Sequence, residues 1–155
     1  MPCSLIFNPD MKEIKVFAPA TVANVVCGFD VLGFAVNEPG DEVVMRLVDE
    51  PGVRLLKITG DDGRLPLAAS KNTVSAVVQH YLEHINRKDT GVEIELHKKM
   101  PIGSGLGSSS ASTVAGLFAI NQLMGNLLTA KELVPFAMKG EEIACGYGHA
   151  DNVAP

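Results

Sequence analysis

Between Pro101 and Ser112 the chain reads PIGSGLGSSSAS, with three glycines and five serines in twelve positions. Glycines at 103, 105 and 107 let the backbone approach a ligand closely and take φ values that side chains disfavour. Their amide hydrogens can converge on an anion, the serines add hydroxyls, and a helix starting there adds its positive N-terminal end. The pattern suits nucleotide phosphates, although such a loop would also cradle sulfate or a carboxylate. It is neither the dinucleotide fingerprint nor a P-loop, because Gly107 is followed by Ser108 and Ser109 rather than Lys-Ser/Thr.

A phosphate loop without that lysine leaves charge to be neutralised by a divalent cation and a carboxylate. Glu141 or Glu142 can supply the carboxylate, with one loop serine, since Mg²⁺ takes few protein ligands and keeps several waters. Adjacent glutamates are also the ordinary content of a solvated helix face. Just beyond them, His149, Asp151 and Asn152 form a polar cluster that suits amines, hydroxyls and carboxylates, or simply a helix end and turn. Asn24 and Asp30 sit amid apolar residues, where an unpaired polar group is costly, so functional use is the better reading of both.

The flanking elements separate this loop from a flexible Gly/Ser linker. Before it, VEIELHKKM alternates Val92, Ile94 and Leu96 with polar residues, as a half-buried strand over 92–98 does. After it, Val114, Leu117, Phe118, Ile120 and Leu123 recur at helical spacing, predicting a helix over 109–124 that stops at Gly125. Upstream, a strand starts near Met11, and Pro19, Gly28 and Gly33 punctuate an apolar region that reads as strand, tight functional loop and second strand. Asp41 to Val48 and Val53 to Thr59 read as further strands. From Asn72 the period is helical through Val74, Val77, Val78, Tyr81, Leu82 and Ile85. Thr129 and Glu132 form a T-x-x-E capping box opening a helix that ends near Gly146 and Gly148. Strands, helix, strand, helix, helix is the order of an α+β domain with an antiparallel or mixed sheet packed against helices. His80 to His84 spells H-x-x-E-H, but Glu83 lies opposite the apolar stripe, which favours a solvated face over a zinc site.

The 155 residues suffice for one domain with a real core, and 46% hydrophobic with 20% charged residues is an ordinary globular composition. A net charge of −5 and the lack of Lys/Arg runs exclude general nucleic-acid binding. No apolar run is long enough for a bilayer, and MPCSLIFNPD lacks a signal peptide's basic start and long apolar core, so no membrane partner and a cytoplasmic location are expected. Cys3, Cys27 and Cys145 suggest neither a disulfide framework nor a zinc site. Residues 1–10 read as an extension outside the folded core, and the stop at GHADNVAP suggests a fragment.

Together these segments resemble the GHMP kinases. APATVANVVCGFDVLGFAV, then GSGLGSSSAS, then HADNVAP is similar, in family order, to the homoserine kinase branch. The resemblance implies a domain like the second domain of ribosomal protein S5 over 11–155, with a left-handed β-α-β crossover, followed in the family by a ferredoxin-like domain whose arginines hold the substrate carboxylate. It implies ATP- and Mg²⁺-dependent phosphorylation of the side-chain hydroxyl of L-homoserine, and is compatible with a homodimer. Carried over, Pro101, Ile102, Gly103, Ser104, Gly105, Leu106, Gly107, Ser108, Ser109 and Ser110 would cradle the ATP phosphates and Asn72 would lie by the adenine. Ser109 and Glu141, rather than Glu142, would hold the metal. Asn24, Asp30, His149 and Asn152 would form the homoserine pocket, with Asp30 as a clamp for the substrate ammonium. Alternatives are a mevalonate-type kinase, whose substrate has no ammonium for Asp30, and a non-catalytic module of the same architecture.

Overall fold

The computed structural model describes residues 11–155 except 24, 26, 29–31 and 147–149, and only the backbone of 143–145. The extension expected at 1–10 lies outside the described residues. Four strands, β1 (Glu13–Val22), β2 (Phe34–Val48), β3 (Gly52–Thr59) and β4 (Gly91–His97), form one sheet in the order β1-β2-β4-β3. β1 and β4 run antiparallel to β2, whereas β3 and β4 are parallel and joined through α1 (Thr73–His84). The sheet is therefore mixed, as expected of the α+β class. Two further helices follow, α2 (Ser108–Leu123) and α3 (Ala130–Cys145).

Alternation decides which face of the sheet is covered. Val43 and Met45 of β2 and Val92, Ile94 and Leu96 of β4 are buried and pair across the strands as Val43↔Leu96 and Met45↔Ile94. The opposite face is charged: Arg46 bonds Glu13 and, at 2.5 Å, Glu95, while Lys15 and Lys99 both pair with Glu42.

One boundary differs from the sequence reading. The two strands expected around Asn37 and Asp41 are a single strand, Phe34–Val48. Pro39 and Gly40 lie where the β1 ladder is already interrupted, its pairing jumping from Pro19↔Gly40 to Thr21↔Ala35. There the chain gives up no regular ladder bonds by carrying a proline.

Helix α2 is the central post. It packs against β1, β2, α1 and α3, so it is buried on nearly all sides rather than along one stripe. Its small residues allow that enclosure. A Cβ on Gly116 would sit 2.4 Å from Val74 Cγ2 of α1, and one on Gly140 of α3 would sit 2.4 Å from Thr113 Cγ2 of α2. Tyr81 is fully buried, donates to Asn121 Oδ1 at 2.7 Å, and burial pushes its phenol up to about 12. The Thr129–Glu132 capping box is present at the start of α3.

His80, Glu83 and His84 are exposed, and both imidazoles lie on the Phe136 ring of α3, at centroid distances of 5.4 and 5.1 Å. This is the solvated-face arrangement, with the histidines used for packing.

Candidate active site

The Gly/Ser loop joins the end of β4 to the start of α2. Gly103, Gly105 and Gly107 have φ of 76°, 74° and 65°, the left-handed region that an L side chain enters only at a cost. Gly107 is the N-cap of α2, and among the described residues no side chain caps that end. The first-turn amides therefore keep unspent donors, and the helix dipole adds to their pull on an anion.

These groups face a cavity of about 560 Å³. Of the residues nominated from the sequence, Ile102, Gly103, Ser104, Gly105, Gly107, Ser108, Ser109, Ser110, Asn72, Glu141 and Asn152 line it. Pro101 and Leu106 are not among its walls. Pro101 is exposed, and its carbonyl accepts from Ser104 N at 3.3 Å. Leu106 packs toward the core, and its carbonyl accepts from Thr21 N at 3.1 Å, which ties the loop to β1. Asn24, Asp30 and His149 lie outside the described residues.

Glu141 and Ser110 bring buried polar atoms to the cavity wall. Glu141 Oε1 and Ser110 Oγ are buried there without a hydrogen-bond partner among the described residues. Such atoms are costly unless something satisfies them. Glu142 instead points out and pairs with Lys139 at 2.7 Å, whereas Glu141 lines the cavity. An all-oxygen set of Glu141 and Ser109 fits a hard divalent cation that keeps most of its waters.

Asn152 is held by Thr21, whose hydroxyl donates to Asn152 Oδ1 at 2.9 Å and lies 3.1 Å from its carbonyl oxygen. Asp151 beside it is 8% exposed, with Oδ1 unpartnered among the described residues. Asn72 caps α1, accepting from Val74 N at 3.2 Å and donating to Pro66 O at 3.2 Å. Its amide thus shapes the cavity wall that Leu65 and Pro66 extend.

The sequence reading missed Asp41 and Lys98. Lys98 lines the cavity and pairs with Asp41 at 2.5 Å, their side chains 4% and 0% exposed. Burial pushes the Lys98 ammonium below the ordinary lysine range, against the opposing bond to Asp41 and the charges of Glu141 and Asp61. Strand parity was the available signal: Lys98 continues the inward series Val92, Ile94, Leu96, and Asp41 precedes inward Val43 and Met45.

The family GHMP kinases N terminal domain matches residues 72–155. A homoserine kinase of Chlorobaculum tepidum is 51% identical over 154 residues, covering 94% of this chain and 48% of that protein. The crystal structure of homoserine kinase from Cytophaga hutchinsonii superposes with a TM-score of 0.92 at 66% identity, over 98% of this chain and 48% of that one. The mevalonate kinase of Methanococcus jannaschii shares the fold, with a TM-score of 0.71 at 20% identity over 94% of this chain and 51% of its own. The chain thus spans about half the length of the relatives it matches. A left-handed glycine loop feeding an uncapped central helix, together with the family match across more than half of the sequence, places this chain in the GHMP kinase family as its N-terminal domain.

Proposed function

We propose that this chain is the nucleotide-binding part of a kinase that transfers the γ-phosphoryl group of ATP to the side-chain hydroxyl of L-homoserine, giving O-phosphohomoserine on the way to threonine. The observation that carries the reading is one cavity wall where uncapped first-turn amides of α2, the loop serines and an unpartnered Glu141 oxygen meet. The similarity to proteins named homoserine kinase supports that acceptor over mevalonate.

On this reading the amides of 103–110 bind the phosphate oxygens, and the walls near Asn72 and Pro66 take the adenine. Ser109 and Glu141 would hold Mg²⁺, which supplies charge neutralisation at the phosphates when bound. Asn152, fixed by Thr21, orients the acceptor, with Asn24 and His149 completing its pocket and Asp30 pairing with the ammonium. Rate comes from holding the hydroxyl in line with the phosphorus and from stabilising developing charge. No side chain here is assigned as general base. Residues 11–155 form the first of two domains in this reading, and the enzyme is cytoplasmic, with a small-molecule acceptor rather than nucleic acid or membrane as partner.

The test is ADP release by the intact protein with homoserine, mevalonate or galactose, each with and without Mg²⁺. Turnover is expected with homoserine and Mg²⁺ only; equal turnover of all three, or none, overturns the assignment.

A further inference from the structure

The glycine loop has little of its own to hold its shape. Beyond the adjoining residues, no atom of the described residues lies within 4 Å of where a Cβ would stand on Gly103 or Gly105. Apart from Ser104 N to Pro101 O and Thr21 N to Leu106 O, no backbone bond outside regular elements involves residues 101–106 among the described residues. A loop of this kind inherits its conformation from where its two ends are fixed.

One carboxylate fixes both. Asp41 Oδ1 accepts from the backbone amides of Lys99 at 2.8 Å and Met100 at 3.2 Å, immediately before the loop. Asp41 Oδ2 accepts from Ser108 Oγ at 2.8 Å and Ser112 Oγ at 3.3 Å, immediately after it. The same oxygen takes Lys98 Nζ at 2.5 Å. Lys98 in turn donates to Ser108 O at 2.8 Å and Ser112 Oγ at 2.7 Å. An ammonium has three donors, and all three are committed to this cluster. Although Lys98 borders the cavity, its protons are therefore spent on the loop's anchor.

We propose that Asp41, with Lys98 as its counter-ion, is a positioning residue that clamps the entry and exit of the phosphate loop and so sets the geometry of its amides. The proposal rests on the phosphate reading of that loop. A buried ion pair is weak evidence for stability as such, because desolvation offsets the Coulomb gain. A role in fixing geometry accounts for five donors converging on one fully enclosed side chain that belongs to neither the loop nor α2.

Asp41→Asn keeps the shape and an acceptor but removes the charge that matches Lys98. In the intact protein, calorimetry is expected to show Kd for ATP raised about tenfold, the scale of a lost charge-assisted bond, with the affinity for L-homoserine within about twofold. Measurements are made well below Tm, so that a purely structural role would lower Tm and leave the ATP Kd alone. An unchanged ATP Kd in the folded variant overturns the proposal, as does an equal loss of both ligands. Should Asp41→Asn fail to fold, Ser112→Ala removes the hydroxyl that reaches Asp41 and accepts from Lys98 and is expected to weaken ATP about threefold; no change there overturns the proposal too. Absence of ATP binding in the unsubstituted protein would instead overturn the phosphate reading itself, with which this inference also falls.

Discussion

Thr21 Oγ1 donates to Asn152 Oδ1 at 2.9 Å, joining β1 to the polar segment 131 positions later. Thr21's own amide holds the Leu106 carbonyl at 3.1 Å. A single residue therefore holds two parts of the site by separate groups, its hydroxyl serving Asn152 and its backbone serving the glycine loop at Leu106. Replacing the side chain alone separates the two.

Thr21→Val keeps the β-branched shape and the backbone bond while freeing the Asn152 amide to turn. The expected result is a KM for homoserine raised roughly fivefold, the worth of one hydrogen bond of about 1 kcal/mol, with KM for ATP unchanged. A KM for ATP that rises equally would show that the hydroxyl acts through the loop instead.

Gly107 and Gly105 share the left-handed backbone but not the surroundings. A Cβ on Gly107 would stand 2.3 Å from Thr21 Oγ1 and 3.1 Å from Asn152 Oδ1, whereas one on Gly105 meets nothing within 4 Å. Gly105→Ala thus carries only backbone strain of about 1–2 kcal/mol. Gly107→Ala must also displace Thr21, and its Kd for ATP is expected to exceed that of Gly105→Ala by about tenfold in equilibrium titrations. Equal affinities would mean that the close approach at Gly107 is relieved without disturbing the loop.

Glu141→Gln preserves the volume of a buried side chain and removes its charge. Together with Ser109→Ala, it is expected to lower kcat by roughly a hundredfold, the scale for losing a group that stabilises transition-state charge, and to raise the Mg²⁺ concentration needed for half-maximal rate. Glu142→Gln, on the exposed side of the same helix, loses only the pair with Lys139 and is expected to behave as the parent. A normal Mg²⁺ requirement in Glu141→Gln removes that residue from the metal site.

On the outer sheet face, Lys15 and Lys99 reach Glu42 at 2.8 and 2.6 Å. Hydrogen bonds from these two lysines lower its carboxyl from 4.5 to about 2. Because the folded value is the lower one, the pairing stabilises the fold above the unfolded value and is lost as pH falls from 4.5 through about 2. Both lysines are half-exposed, so solvent screens the gain to about 1 kcal/mol or less. Urea unfolding of the parent and Glu42→Gln should differ at about pH 6 and converge at about pH 2; a constant gap across that range would mean that the substitution acts through packing.

Local pattern is what the sequence by itself carries, and it was sufficient for the helix at Thr73–His84, the strand at Gly91–His97, the Thr129 cap and the glycine loop. Each is decided by residues within a few positions of one another: a period, a capping pair, a run of glycines. The joining of the two expected strands into Phe34–Val48 was not legible, because it depends on where β1 breaks its ladder. Residue pattern alone left Glu141 and Glu142 equivalent and only the resemblance preferred Glu141; the packing of α3 puts Glu141 on the cavity wall and leaves Glu142 to Lys139. Asp41 and Lys98 are 57 positions apart, and nothing local marks either as more than an interrupted strand pattern. Their inward parity was visible in the sequence, but their meeting beneath the loop required β2 and β4 to pair and α2 to close over them. Desolvation then left each charge with no lower-energy choice than the other.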